Sequence, residues 1–202
     1  MSENTDIRKS LVEVEDSVLV VIDIQDSFLR KYDASIGKPL LEKVVWLLKI
    51  AAHMNMPVVA MAEDIDNADN LHQSILSALP PGTRVHNKNT FALTDNPPIL
   101  SDLEATRRNT AILVGMETDV CVAQSALGLM QCGYQVVVLE DAVATTTGGA
   151  QIGLGRMRDA GAAISSVKAI TYEWLRSVQN SNALFDRVPA LRAKDLPACL
   201  TL

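Results

Sequence analysis

Four uninterrupted apolar runs constrain this chain more than any other feature: VLVVI at 18–22, VVAMA at 58–62, AILVGM at 111–116 and VVVL at 136–139. A strand with one wetted face alternates polar and apolar residues. A strand covered on both faces does not, which is the condition of a parallel sheet held between two layers of helices. Strands are predicted at 17–23, 57–62, 110–116 and 134–141, with weaker ones at the start of 84–93 and at 162–167. Helical periodicity or capping chemistry predicts helices at 40–54, 67–79, 97–107, 119–133, 147–161 and 170–178, with one more short turn in the polar tail. Strand and helix alternate about six times with short connections, which predicts an α/β fold, a single-domain doubly wound three-layer sandwich.

Composition narrows the partners. A chain of 202 residues, 48% apolar and 21% charged, suffices for one well-shielded domain. Residues 1–16 read as a polar segment and 17–202 as the domain. Lys plus Arg number 18 against 24 Asp plus Glu, a net charge of −6, which disfavours nucleic acid or an anionic membrane as a partner. No apolar run approaches the ~20 residues that span a bilayer, and MSENTDIRKS carries no apolar core of a secretory leader. Three cysteines, Cys121, Cys132 and Cys199, do not make a disulfide framework. A cytoplasmic location is expected.

In open parallel sheets the ligand crevice lies outside the carboxyl ends of the strands. The residues leaving those ends are therefore the candidates. Asp23 ends the first strand, Glu63 and Asp64 follow the second, Lys88 the third, Cys121 the fourth and Asp141 the fifth. Cys121 is expected in the first turn of a helix, with Thr118 and Asp119 as capping candidates, where the helix dipole favours thiolate. The plain alternative is a small buried hydrophobe. Asp23 suits a proton shuttle to that thiol, or a turn residue. A cation at Lys88 would lower the thiol pKa and hold the Asp ionised, or be solvated. Cys132 and Cys199 lack such a setting. His53 reads as a helix C-terminal residue and His86 as a surface or loop residue.

The segments VLVVIDIQDSFL (18–29), KNTFAL (88–93) and LVGMETDVCVAQSALGLMQCGYQVVVLEDAVAT (113–145) resemble the isochorismatase-like cysteine hydrolases. GRMRDAGA (155–162) and ITYEWLR (170–176) resemble the small hydrolase branch of the same superfamily. The likeness covers roughly residues 17–178, and the GMETDVCV block is its most specific part. It implies a six-stranded parallel sheet with helices on both faces and a catalytic triad of Asp23, Lys88 and Cys121. It implies a cis peptide at Met116–Glu117 and an oxyanion hole formed by the backbone N–H groups of Glu117 and Cys121. It also implies a homo-oligomer, dimer or higher, to which the apolar content points as well. Gln25 and Phe91 are assigned to the substrate pocket, with core packing as the alternative for Phe91.

Two departures from the superfamily matter. Its metal-dependent nicotinamidases carry Asp-x-His and a further His after the second strand, whereas this chain reads AMAEDIDNADNLHQ there. His53, His72 and His86 cannot meet that spacing, so no metal and no cofactor are expected. True isochorismatases replace the nucleophilic Cys, which is present here. The reading is a hydrolase that cleaves an amide-like C–N bond of a small molecule through a thioester. In it Asp23 deprotonates Cys121, protonates the leaving amine and then activates water. A nicotinamidase or isochorismatase-type hydrolase is the alternative, as is a non-catalytic or redox-sensing protein of the same fold.

Overall fold

The computed structural model describes residue 8, residues 10–146 and residues 148–191, so Cys199 lies outside the described residues. Six strands, β1 (Ser17–Ile22), β2 (Val58–Glu63), β3 (Val85–Lys88), β4 (Thr110–Met116), β5 (Gln135–Ala144) and β6 (Ala163–Ser165), form one all-parallel sheet. Its order is β3-β2-β1-β4-β5-β6. The helices are α1 (Asp26–Leu29), α2 (Ala34–His53), α3 (Gln73–Leu76) and α4 (Pro97–Ala105), then α5 (Ala123–Gln131), α6 (Ala150–Ala160), α7 (Val167–Leu175) and α8 (Val178–Arg187). No helix among the described residues is long and apolar enough to cross a membrane.

Each strand sends alternate side chains to opposite faces, and both faces are covered. Leu19, Val21, Ala60, Ile112 and Val114 share one core with Val44 and Leu47 of α2 and Ile170 of α7. Val18, Val20, Ile22, Met61 and Leu113 share the other with Leu103 of α4, Leu129 of α5 and Met157 of α6. That double burial is why β1 and β4 are apolar at nearly every position. The chain winds outward from β1 to β3, then returns to β4 on the other side of β1 and winds to β6. The switch between β1 and β4 opens a crevice at their carboxyl ends.

The helices depart from expectation where side chains compete with the backbone. Helix α2 starts six residues before the predicted Leu40, because Asp33 accepts a hydrogen bond from the Ser35 N–H at 2.8 Å and caps it. Pro39 lies inside that helix. The predicted helix at 67–79 shrinks to Gln73–Leu76. Asn67 donates to the Asp64 carboxylate at 2.9 Å and the Leu71 N–H to the Asn70 side chain at 2.7 Å, local bonds that favour turns over helix. Helix α1 is an element the sequence reading lacked. The polar tail likewise carries the full helix α8, capped by Ser177, rather than one short turn.

Candidate active site

Chain β1 leaves the sheet at Asp23, in the left-handed region at φ 51°. The Asp23 N–H donates to the Met61 carbonyl at 3.1 Å, and its side chain is fully buried. Lys88 is the last residue of β3 and pairs in register with Glu63, the last residue of β2. Its ammonium lies 2.9 Å from Asp23 Oδ2, and it donates to the Thr90 carbonyl at 2.9 Å. The same Nζ is 3.6 Å from Cys121 Sγ and 3.7 Å from Glu63 Oε2. The Cys121 thiol donates to Glu63 Oε2 at 3.4 Å. Four residues from four strand ends therefore surround one cation.

Cys121 does not sit in a capped α-helical first turn. Thr118–Val122 form a π-helical turn that runs directly into α5, with the Val122 N–H donating to the Glu117 carbonyl at 3.1 Å and no side-chain cap at its start. Single π turns recur at functional sites. The Met116–Glu117 peptide just before it is cis. Glu117 accepts from the Thr146 hydroxyl at 3.2 Å and the Tyr32 hydroxyl at 3.5 Å.

The electrostatics correct the expected direction for the thiol. Burial pushes the Cys121 thiol well above its ordinary range; the Asp23 and Glu63 carboxylates add to this, and Lys88 only partly opposes it. The resting sulfur is a thiol. Burial likewise raises Asp23 to about 6, against the lowering pull of Lys88. Burial depresses the Lys88 ammonium, but Asp23, Cys121 and Glu63 outweigh it and raise its pKa above the usual value. A carboxylate that titrates near neutrality beside a protonated thiol is arranged as a general base.

The other expected site residues separate. Gln25 is buried, and its amide is spent on backbone: Oε1 accepts from the Glu63 N–H at 2.7 Å while Nε2 donates to the Glu63 carbonyl at 2.9 Å and to the Asp69 carbonyl. It clamps the end of β2. Phe91 is 53% exposed. With Glu63, Asp64, Asp66, Asn67 and Asn89 it lines a cavity of about 410 Å³. His86 is buried in β3, not at the surface, because its Nε2 lies 2.8 Å from the Asp102 carboxylate of α4. Glu63, a strand-end candidate with no specific role assigned from sequence, is brought to the site by its register with Lys88.

One oxygen each of Asp23 and Glu63 and the Cys121 sulfur lie within 4.8 Å of one another, a spacing that suits a cation. The Lys88 ammonium already occupies that position. His72, the imidazole nearest in sequence, accepts from the Ser74 N–H at 3.1 Å and caps α3.

The isochorismatase domain model matches residues 17–169. The chain is similar to isochorismatase family protein 1A of Dictyostelium discoideum, 25% identical over 174 residues and covering 82% of each chain. Among solved structures it is similar to the MAR1 ribonuclease of Caenorhabditis elegans, with TM-score 0.81, 22% identity and coverage of 96% of this chain and 97% of that one. It is also similar to the YcaC gene product of Escherichia coli, described as an octameric hydrolase of unknown specificity. There the TM-score is 0.76 at 22% identity, over 90% and 93% of the two chains.

Proposed function

The chain belongs to the isochorismatase family, and from that premise we propose that it is a cysteine hydrolase acting on an amide-like C–N bond of a small molecule. The observation that carries the reading is the Lys88 ammonium, 2.9 Å from the Asp23 carboxylate and 3.6 Å from the Cys121 sulfur, at the strand switch point. Asp23 takes the thiol proton as sulfur attacks the carbonyl carbon, and the carbonyl π pair moves to oxygen. The backbone N–H groups of Glu117 and Cys121 receive that oxyanion. As the C–N bond breaks, Asp23 returns its proton to the departing nitrogen, leaving a thioester that water opens. Lys88 keeps Asp23 ionised enough to act as a base despite its burial.

A ribonuclease activity has nothing here to support it, since the cavity is rimmed by Glu63, Asp64 and Asp66 and would repel a phosphodiester backbone. The proposal includes a closed homo-oligomer; the E. coli protein is described as octameric. It also includes a cytoplasmic location. A panel of small-molecule amides, assayed for acid release with the native protein and Cys121→Ala in parallel, tests the activity. Turnover of a panel member that disappears in Cys121→Ala is the expected result. Equal turnover by both proteins would remove the nucleophile from the reading.

A further inference from the structure

Buried Asp23 is poorly placed for the second half of a thioester reaction. It has no exposed surface, and one of its oxygens faces Lys88 at 2.9 Å. Glu63, by contrast, lines an open cavity together with Phe91. Glu63 is 29% exposed there, and its Oε2 already stands 3.4 Å from the sulfur.

We propose that Glu63 is a second catalytic carboxylate and serves as the general base of deacylation, while Asp23 serves acylation. This rests on the thioester reading above. In the step, a water oxygen bonds to the thioester carbonyl carbon as Glu63 takes its proton, and the π pair moves to the carbonyl oxygen. That pair returns as the C–S bond breaks, its electrons passing to sulfur. The thiolate then takes the proton back from Glu63. The end state is a protonated thiol donating to Glu63, which is the hydrogen bond the resting site contains. Lys88, 3.7 Å from Glu63 and 3.6 Å from the sulfur, faces both partners and balances the charge wherever it resides.

The experiment uses p-nitrophenyl acetate as an acyl donor with the full chain. Native protein is expected to give a burst of p-nitrophenolate and a transient acetyl adduct on Cys121. Glu63→Gln should keep the burst but release acetate about 10²-fold more slowly, so that the adduct persists in intact-mass spectra. Hydroxylamine attacks thioesters without a base and should restore turnover in that variant. Gln25 grips only backbone atoms of Glu63, so the clamp on β2 survives the substitution. Glu63→Ala, with the same expected kinetics, is the second variant. Deacetylation at the native rate in either variant, or a lost burst, overturns the assignment. A native protein that forms no Cys121 adduct overturns the thioester reading itself and this assignment with it.

Discussion

Gly115 meets Ile22 across β1 and β4 so closely that a Cβ on it would lie 1.9 Å from the Ile22 carbonyl oxygen. Its φ of 133° is one that L side chains rarely adopt. The β4–β5 register shifts between Leu113 and Gly115, at the same place. This contact sets β1 and β4 together one residue before Asp23 and two before Glu117, so the spacing of the site depends on it. Gly115→Ala must move backbone rather than a flexible side chain. We expect a loss of at least about 2 kcal/mol in urea unfolding, with hydrolysis falling even under conditions where the variant stays folded. A variant with native stability would show that the strands have slack here.

Asp23 acts as a base only when ionised, so its titration sets the direction of the pH profile. Burial raises it to about 6. Below that value the carboxyl is protonated and cannot accept the thiol proton; above it the base is ready. kcat/KM is therefore expected to rise with pH through about 6 and then level off. Alkylation of Cys121 by a small reagent such as iodoacetamide should follow the same curve and outpace that of exposed Cys132 at pH 7. In Asp23→Asn that advantage should vanish. A Cys121 labelling rate that ignores the Asp23 substitution would show that the thiol finds its base elsewhere.

The strands, and the places of Asp23, Lys88 and Cys121 at or just beyond strand ends, were legible because each rests on a local signal. Uninterrupted apolar runs mark β1 and β4, and chemistry at strand ends follows from the parallel sheet. Long-range partners were not legible. His86 read as a surface residue because nothing adjacent announces Asp102, sixteen positions on. The thiol read as activated because helix position and Lys88 are visible in sequence while burial and the Asp23 and Glu63 charges are not. Gln25 read as a pocket residue because its bonds go to Glu63 and Asp69, around forty residues away. The 67–79 stretch looked helical by composition, yet Asp64, Asn67 and Asn70 satisfy backbone and neighbours in turns instead.

Assembly can be tested apart from chemistry. Ile152 on α6 is 75% exposed and Val178 on α8 is 78% exposed, large apolar groups left uncovered among the described residues. Closed symmetric oligomers hide such groups on repeated interfaces. Light scattering is expected to give an integral multiple of the 21.9 kDa chain at micromolar concentration. Ile152→Glu should shift the distribution toward smaller species. A monomer throughout that range would contradict the oligomer.

Lys88 makes the clearest forecast about metals. A divalent ion at this site would have to bind Asp23, Glu63 and Cys121, whose ligand atoms lie within 4.8 Å of one another. The ammonium is already 2.9, 3.7 and 3.6 Å from those three groups. A second positive charge that close is repelled by several kcal/mol at interior dielectrics (about 4 kcal/mol at 4 Å). The thiol is also protonated, and only a thiolate ligates well. Extended chelation is therefore expected to leave native activity unchanged. Lys88→Ala should reverse the balance. It removes the cation, leaves two carboxylates and a sulfur facing one another, and costs about 3 kcal/mol or more as the buried pair is broken. A divalent ion then becomes the natural way to neutralise them, with thiolate and carboxylate donors suited to zinc or cobalt. Titrating Lys88→Ala with cobalt should produce sulfur-to-metal charge-transfer absorption and a rise in unfolding temperature, neither of which the native protein should show. Stoichiometric zinc in native protein, lost together with activity on chelation, would overturn the argument and bring a metal-dependent nicotinamidase forward.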